Sequence, residues 1–205
     1  MRHNLLIALC FALLLSFQGK AQLFSGSDST SPKISFGLKV GVNLQQINSD
    51  TTWQKGYRPG FTGGAFMQMG KKFGFRIEVL ASSVNYTFRH ITDSTGQKGD
   101  FTALNINIPA MLQYNLFSMV LLQAGAQYST LISIKNNAGY SGDAKLLFKS
   151  SELSLVGGAE AQLPYNFTVG ARYIYGLSNV NNNIVFYNEE WKHSAIQLTV
   201  GYKIQ

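Results

Sequence analysis

The sequence predicts an all-β fold, an eight-stranded antiparallel up-and-down transmembrane β-barrel. Three observations carry this expectation. Apolar residues recur at every second position in eight separate segments, which is the period of a β-strand. Connections between the segments alternate between long and short, as in a meander whose short turns all lie at one end. Aromatic residues gather at both ends of the apolar faces, as in barrels that meet two membrane interfaces.

The chain opens with MRHNLLIALCFALLLSFQGKAQ. Arg2 and His3 form a basic start, and Leu5 to Phe17 is an apolar run. The run is shorter than the roughly 20 residues a membrane-spanning helix needs. Gly19 and Ala21 supply the small residues of a cut before Gln22, so residues 1–21 are expected to be a cleaved signal peptide. Cleavage removes Cys10, the only cysteine. The mature chain then has no disulfide, no thiol nucleophile and no cysteine metal ligand. Its basic residues fall from 17 by the loss of Arg2 and Lys20, against 10 acidic ones, and it contains no run of five basic residues. That excludes the footprint of a nucleic-acid binder. Residues 22–33, QLFSGSDSTSPK, read as a flexible periplasmic leader. Residues 34–205 are left for one barrel domain.

The first strand, Ile34 to Leu44, places Ile34, Phe36, Leu38, Val40, Val42 and Leu44 on one face, with Lys39 opposite. The second, Gly60 to Met69, has Phe61, Ala65, Met67 and Met69 on one face. The third, Phe73 to Val84, has Phe73, Phe75, Ile77, Val79 and Ala81, with Arg76 and Glu78 opposite. The fourth, Ala103 to Phe117, has Leu104, Ile106, Ile108, Ala110, Leu112 and Tyr114. Pro109 lies on its other face. Proline has no N–H for the ladder and a closed barrel has no free edge, so a bulge or local break is expected there.

The fifth strand, Met119 to Ile132, shows Val120, Leu122, Ala124, Ala126 and Tyr128 on one side. The sixth, Glu152 to Leu163, sets Leu153, Leu155, Ala159 and Ala161 against Glu152, Ser154 and Glu160. In the seventh, Phe167 to Leu177, Phe167, Val169, Ala171, Tyr173 and Tyr175 oppose Thr168 and Arg172. In the eighth, Ser194 to Ile204, Ile196, Leu198, Val200, Tyr202 and Ile204 oppose Gln197, Thr199 and Lys203.

Segments 48–59, 89–100, 133–150 and 178–193 are the long connections, and 70–72, 115–117 and 164–166 the short ones. Outer-membrane barrels have this layout, with short periplasmic turns and long extracellular loops. A soluble ligand-binding barrel alternates in the same way with its faces exchanged. Strand length favours lipid, since a tilted membrane strand needs roughly 9–11 residues. So do two rows of aromatics, Phe36, Phe73, Tyr114, Phe167 and Tyr202 at the short-turn end and Phe61, Tyr128, Tyr173 and Tyr175 at the other. Eight strands leave a lumen only wide enough for side chains. Lys39, Arg76, Glu78, Glu160, Arg172 and Lys203 on the polar face are expected to fill it as a structural charge cluster.

FGLKVGVNLQQI, GFTGGAFMQM, FGFRIEVLAS, LNINIPAMLQYNL, LLQAGAQYSTLI, LVGGAEAQL, FTVGARYIYGLSNV and IQLTVGYKI follow one another in that order along the mature chain. The ordered set resembles the PorT-like outer-membrane β-barrel family of Bacteroidota. The resemblance implies one eight-stranded barrel in the Gram-negative outer membrane. It also allows a role as accessory subunit of an envelope secretion or assembly machine, since one member serves type IX secretion.

Enzymatic chemistry finds little support in the residues. Small lipid-modifying barrels resemble a His-x-Ser pair on one strand face. Here His193 and Ser194 are adjacent and point to opposite faces, with Glu189 and Glu190 nearby. His90, Asp93 and Asp100 lack a specific metal-ligand spacing. No catalytic residue, metal site or cofactor is assigned. Tyr140, Phe186, Tyr187 and Trp191 in the long loops are candidate partner-binding aromatics. The expected protein is a monomeric, non-enzymatic barrel contacting outer-membrane lipid and, through its loops, an envelope protein. The alternatives are a secretion-machine subunit and a soluble periplasmic ligand-binding barrel.

Overall fold

The computed structural model describes residues 34–48, 56–92, 98–117, 119–138, 148–181 and 190–204, with the backbone alone for 87–92, 98–100 and 136–138. The strands are β1 (Ile34–Asn48), β2 (Arg58–Gly70), β3 (Phe73–Thr92), β4 (Lys98–Phe117), β5 (Val120–Ala138), β6 (Ser151–Gln162), β7 (Phe167–Gly176) and β8 (Lys192–Ile204). Each pairs antiparallel with its neighbours, and β1 pairs with β8 to close the barrel. Phe36 lies opposite Met67 on one side and Ile204 on the other, so closure leaves no edge at that level.

Burial is inverted relative to a soluble protein. Along β7 every second residue is buried, and the exposed alternates are Phe167, Val169, Ala171, Tyr173 and Tyr175. On β8 from Ala195 onward the buried positions are Ala195, Gln197, Thr199 and Gly201, while Ile196, Leu198, Val200 and Tyr202 face outward; His193 and Ser194 before them are both buried. The apolar face is thus the outer one, as a lipid-exposed barrel requires.

The strands reach further toward the long-loop end than expected. β3 continues to Thr92, β4 begins at Lys98 and β5 runs to Ala138. Much of what reads as loop in 89–100 and 133–150 is therefore paired strand, as in Thr92 opposite Lys98 and Ile134 opposite Ala103. Ladder hydrogen bonds hold these extensions together. With both faces polar or mixed, the sequence alternation fades although the backbone pairing does not.

Pro109 is buried on the lumen side. The β4–β5 ladder passes through it opposite Gln127 without a shift. The β3–β4 pairs stop at Ile77 with Ala110 and resume at Leu80 with Asn107. The ladder is thus open opposite Pro109, the local break expected of a residue without an N–H, and no bulge accompanies it there.

Among the short connections, Pro164–Asn166 forms a 3-10 turn in which Tyr165 and Asn166 take φ of 59° and 64°. Gly70 closes the β2–β3 turn at φ 116°.

Candidate functional site

The lumen is crossed by an ion-pair network built from four strands. Lys39 comes from β1, Arg76 and Glu78 from β3, Glu160 from β6 and Arg172 from β7. Arg172 grips Glu78 with a two-pronged fork, its Nη1 donating to Oε2 at 2.7 Å and its Nη2 to Oε1 at 2.6 Å. Lys39 Nζ bridges both carboxylates, 3.0 Å from Glu78 and 3.3 Å from Glu160. Arg76 does the same, with Nε 2.7 Å from Glu78 and Nη1 2.8 Å from Glu160. Side-chain exposure across the network is 2% or less.

The fold makes room for these long side chains by keeping their lumen neighbours small. Gly158 lies opposite Arg172, and a Cβ there would meet the Ala171 carbonyl oxygen at 2.3 Å and Arg172 Cγ at 3.1 Å. Gly37 leaves space for the ring of Phe66, which an added Cβ would strike at 2.2 Å. That ring lies 3.8 Å from the Arg76 guanidinium and 5.6 Å from Lys39 Nζ. It receives cationic surface that the two carboxylates do not cover.

Five of the six lumen charges expected from the sequence are brought together. Lys203 is not among them. It is half-buried toward the short-turn end and makes no ion pair among the described residues. It lies one level beyond the network, opposite Gly37, whereas Lys39 lies opposite Gly201.

Nearer the long-loop end a second cluster fills the barrel mouth. His193 Nδ1 lies 2.5 Å from Glu152 Oε2, and its Nε2 lies 3.0 Å from the Tyr86 hydroxyl. Gln45 donates to the same hydroxyl at 3.2 Å. Above them Ile47, Val84, Phe101, Phe148, Val180 and Trp191 form an apolar plug. The rings of Tyr86, Phe148 and Trp191 follow one another at 5.8 and 5.7 Å between centroids.

This corrects the reading of Trp191 as an exposed binding aromatic. It is fully buried in the plug. Its backbone is held by an N–H donated to Asn179 Oδ1 and a carbonyl accepting from Val180 N–H. Tyr140, Phe186 and Tyr187 lie outside the described residues. Tyr86 and Phe148 escaped the sequence reading. Tyr86 keeps the inward parity of Arg76, Glu78 and Val84 once β3 is carried two residues past Val84.

His193 and Ser194 do face opposite ways. Ser194 Oγ accepts from Gln46 and Asn48 on β1, while His193 points to Glu152 and Tyr86. Glu190 pairs at 2.6 Å with Lys192, whose ammonium holds its carboxyl below the usual range. Glu189, and the side chains of His90, Asp93 and Asp100, lie outside what is described.

The outer face carries the aromatic rows where the sequence places them. Phe36, Phe73, Phe167 and Tyr202 are exposed at the short-turn end, and Tyr114 is half-buried beside Phe73 at 5.0 Å. Phe167 and Tyr202 meet edge-on at 5.3 Å across β7 and β8. Phe61, Tyr128, Tyr173 and Tyr175 are exposed toward the other end.

Comparison with known proteins agrees with this architecture. Residues 20–182 match the family model described as outer membrane protein beta-barrel domain. Among solved structures, the chain is similar to Neisserial surface protein A, at 18% identity and a TM-score of 0.53, covering 84% of this chain and 99% of that one. It is also similar to the outer membrane protein OprG from Pseudomonas aeruginosa, at 12% identity and a TM-score of 0.51, covering 83% and 96%. These likenesses concern the fold. No match is found among curated proteins. The family match spans well over half of the chain, and the closed barrel carries its apolar residues outside and its charges within. The chain belongs to the outer membrane protein beta-barrel domain family and is an outer-membrane β-barrel protein of the Gram-negative envelope.

Proposed function

We propose that this protein is a non-catalytic, monomeric barrel whose lumen is closed and whose work is done on its outside, by long extracellular loops that engage an envelope partner. It reaches the outer membrane after cleavage of residues 1–21. The observation that carries this reading is the lumen itself. A buried network of three cations and two carboxylates lies across its middle, and an aromatic plug occupies the mouth above. A solute would have to break several buried ion pairs to pass. The separation of His193 from Ser194 supports the absence of a hydrolytic dyad.

Planar-bilayer recording of the purified protein tests the closed lumen. No stepwise conductance is expected, and steady single-channel openings would overturn it. Extraction in the outer-membrane fraction, with a gel shift on heating, accompanies that result.

A second reading, an accessory subunit of an envelope secretion machine, draws its support from the ordered motifs shared with PorT-like barrels of Bacteroidota. Stoichiometric co-purification of secretion components from detergent extracts would favour it over an isolated barrel.

A further inference from the structure

We propose that the short-turn end of the barrel is a binding vestibule for a phosphate-class anion. A cavity of about 700 Å³ opens there, framed by all three short connections and the end of β8. Lys71, Lys72 and Lys203 line it, together with the neutral Gln68, Asn115 and Gln162. Among the described residues no carboxylate side chain does. Lys71 and Lys72 come from the β2–β3 turn and Lys203 from β8, with β1 between them, so lysines from two separate elements border one opening.

The lumen behind the vestibule carries the same sign. Its network holds three cations, Lys39, Arg76 and Arg172, against two carboxylates, Glu78 and Glu160. One positive charge is left over inside low-dielectric walls, where fields are focused toward the aqueous opening. Outside the network the described carboxylate side chains are Glu152 and Glu190, both at the long-loop end, and Asp50, Asp93, Asp100, Asp143 and Glu189 fall in the long connections of the sequence.

Buried donors without partners are the independent observation. Arg76 Nη2, Gln113 Nε2 and Gln123 Nε2 make no hydrogen bond, and their residues are at most 5% exposed. An unmet buried donor is costly. Gln113 lines a smaller cavity of about 40 Å³ that shares Gln68, Lys71, Lys72 and Gln162 with the vestibule. Gln68 in turn accepts from Arg76 Nη1 at 3.4 Å. Of the three, Gln113 is the unmet donor that adjoins the vestibule, and Gln123 is its cross-strand neighbour. Asn115 Oδ1 is an unmet acceptor at this rim, and the Asn115 amide donates to the Lys71 carbonyl. Phosphate brings up to two negative charges and several strong acceptor oxygens, which suits this donor set. It is available as free phosphate or as a phospholipid headgroup. That the vestibule faces the periplasm rests on the orientation proposed above, whereas the site does not.

The test uses the full chain folded in detergent, with folding checked by the gel shift on heating. Inorganic phosphate is titrated calorimetrically at constant ionic strength set with chloride. Saturable binding is expected in the parent protein. It should weaken at least tenfold in the Lys72→Gln/Lys203→Gln double variant and stay unchanged in Lys149→Gln at the opposite end. Should the double variant not fold, Lys71→Gln/Lys72→Gln in the exposed turn replaces it, with the same expectation. No saturable binding, or equal loss in Lys149→Gln, overturns the proposal. Repeating the titration in phosphatidylglycerol and phosphatidylcholine nanodiscs separates the sources, both within the proposal. Competition by phosphatidylglycerol assigns the headgroup, and equal affinity in the two lipids assigns free phosphate.

Discussion

Glu78 is the residue on which the lumen turns. It accepts from Arg172 through both oxygens and lies within 3.0 Å of Lys39 and 2.7 Å of Arg76 Nε. A buried ion pair is weak evidence of stability as a whole, but removing one partner strands the others. Glu78→Gln keeps the shape and deletes the charge, leaving three buried cations to one carboxylate. The expected cost is about 3–5 kcal/mol of unfolding free energy, read as a lower urea midpoint in lipid vesicles. Arg172→Lys should also destabilise, because a point ammonium cannot reproduce the two-pronged grip. Trp191 makes the second residue-scale prediction. Trp191→Ala removes the largest side chain of the mouth plug, for an expected loss of about 3–5 kcal/mol, measurable in the same unfolding assay. The two sites also mark what was legible in the sequence. The inward face of Glu78 is legible because strand parity fixes a face over many residues. Trp191 is not legible in this way, because it sits just before β8 in an Asn-rich segment where no period says which way it points.

At the scale of the element, legibility followed the solvent. Within the lipid-facing band the strands contrast an apolar outer face with a more polar inner one, and the eight strands are legible in the sequence. Beyond the band both faces meet water or the plug. The contrast disappears, and the sequence pattern ends before β1, β3, β4 and β5 do. The turns are governed by backbone conformation instead. Gly70 adopts φ 116°, and a Cβ there would lie 2.3 Å from the Phe73 carbonyl oxygen. Gly70→Ala is therefore expected to cost at least about 1–3 kcal/mol, the range for strained backbone conformations. Tyr165 is the counter-case. It holds a left-handed φ of 59° with its side chain 88% exposed, so little packing offsets the conformation. Tyr165→Asn should raise the midpoint slightly, since asparagine tolerates that region better. Thermal unfolding of the pair, followed by the gel shift, should move in opposite directions.

For the whole molecule, the outer face supplies the decisive quantity, because depth in a membrane is a property that no single contact reports. Leu198 and Ile204 lie on the same face of β8 with nearly equal exposure, 47% and 49%. Leu198 sits between the aromatic rows, opposite Val42 and Ala171 and two positions from Ile196, which faces Tyr173. Ile204 lies beyond Tyr202 at the short-turn edge. In water the two positions would respond alike to a charge, since neither is buried by protein. In a bilayer they would not. An arginine at the midplane costs about 2–4 kcal/mol and one near the interface about 0–1 kcal/mol. Leu198→Arg should therefore lower the unfolding free energy in lipid by a few kcal/mol, whereas Ile204→Arg should change it little. Equal, small effects would mean that water, not acyl chains, covers the apolar face. The short-turn and long-loop ends then define the membrane boundaries through the aromatic rows themselves. Extending the arginine series along β7, from Phe167 through Val169 and Ala171 to Tyr173, should trace a cost that rises toward the middle and falls again at both rows.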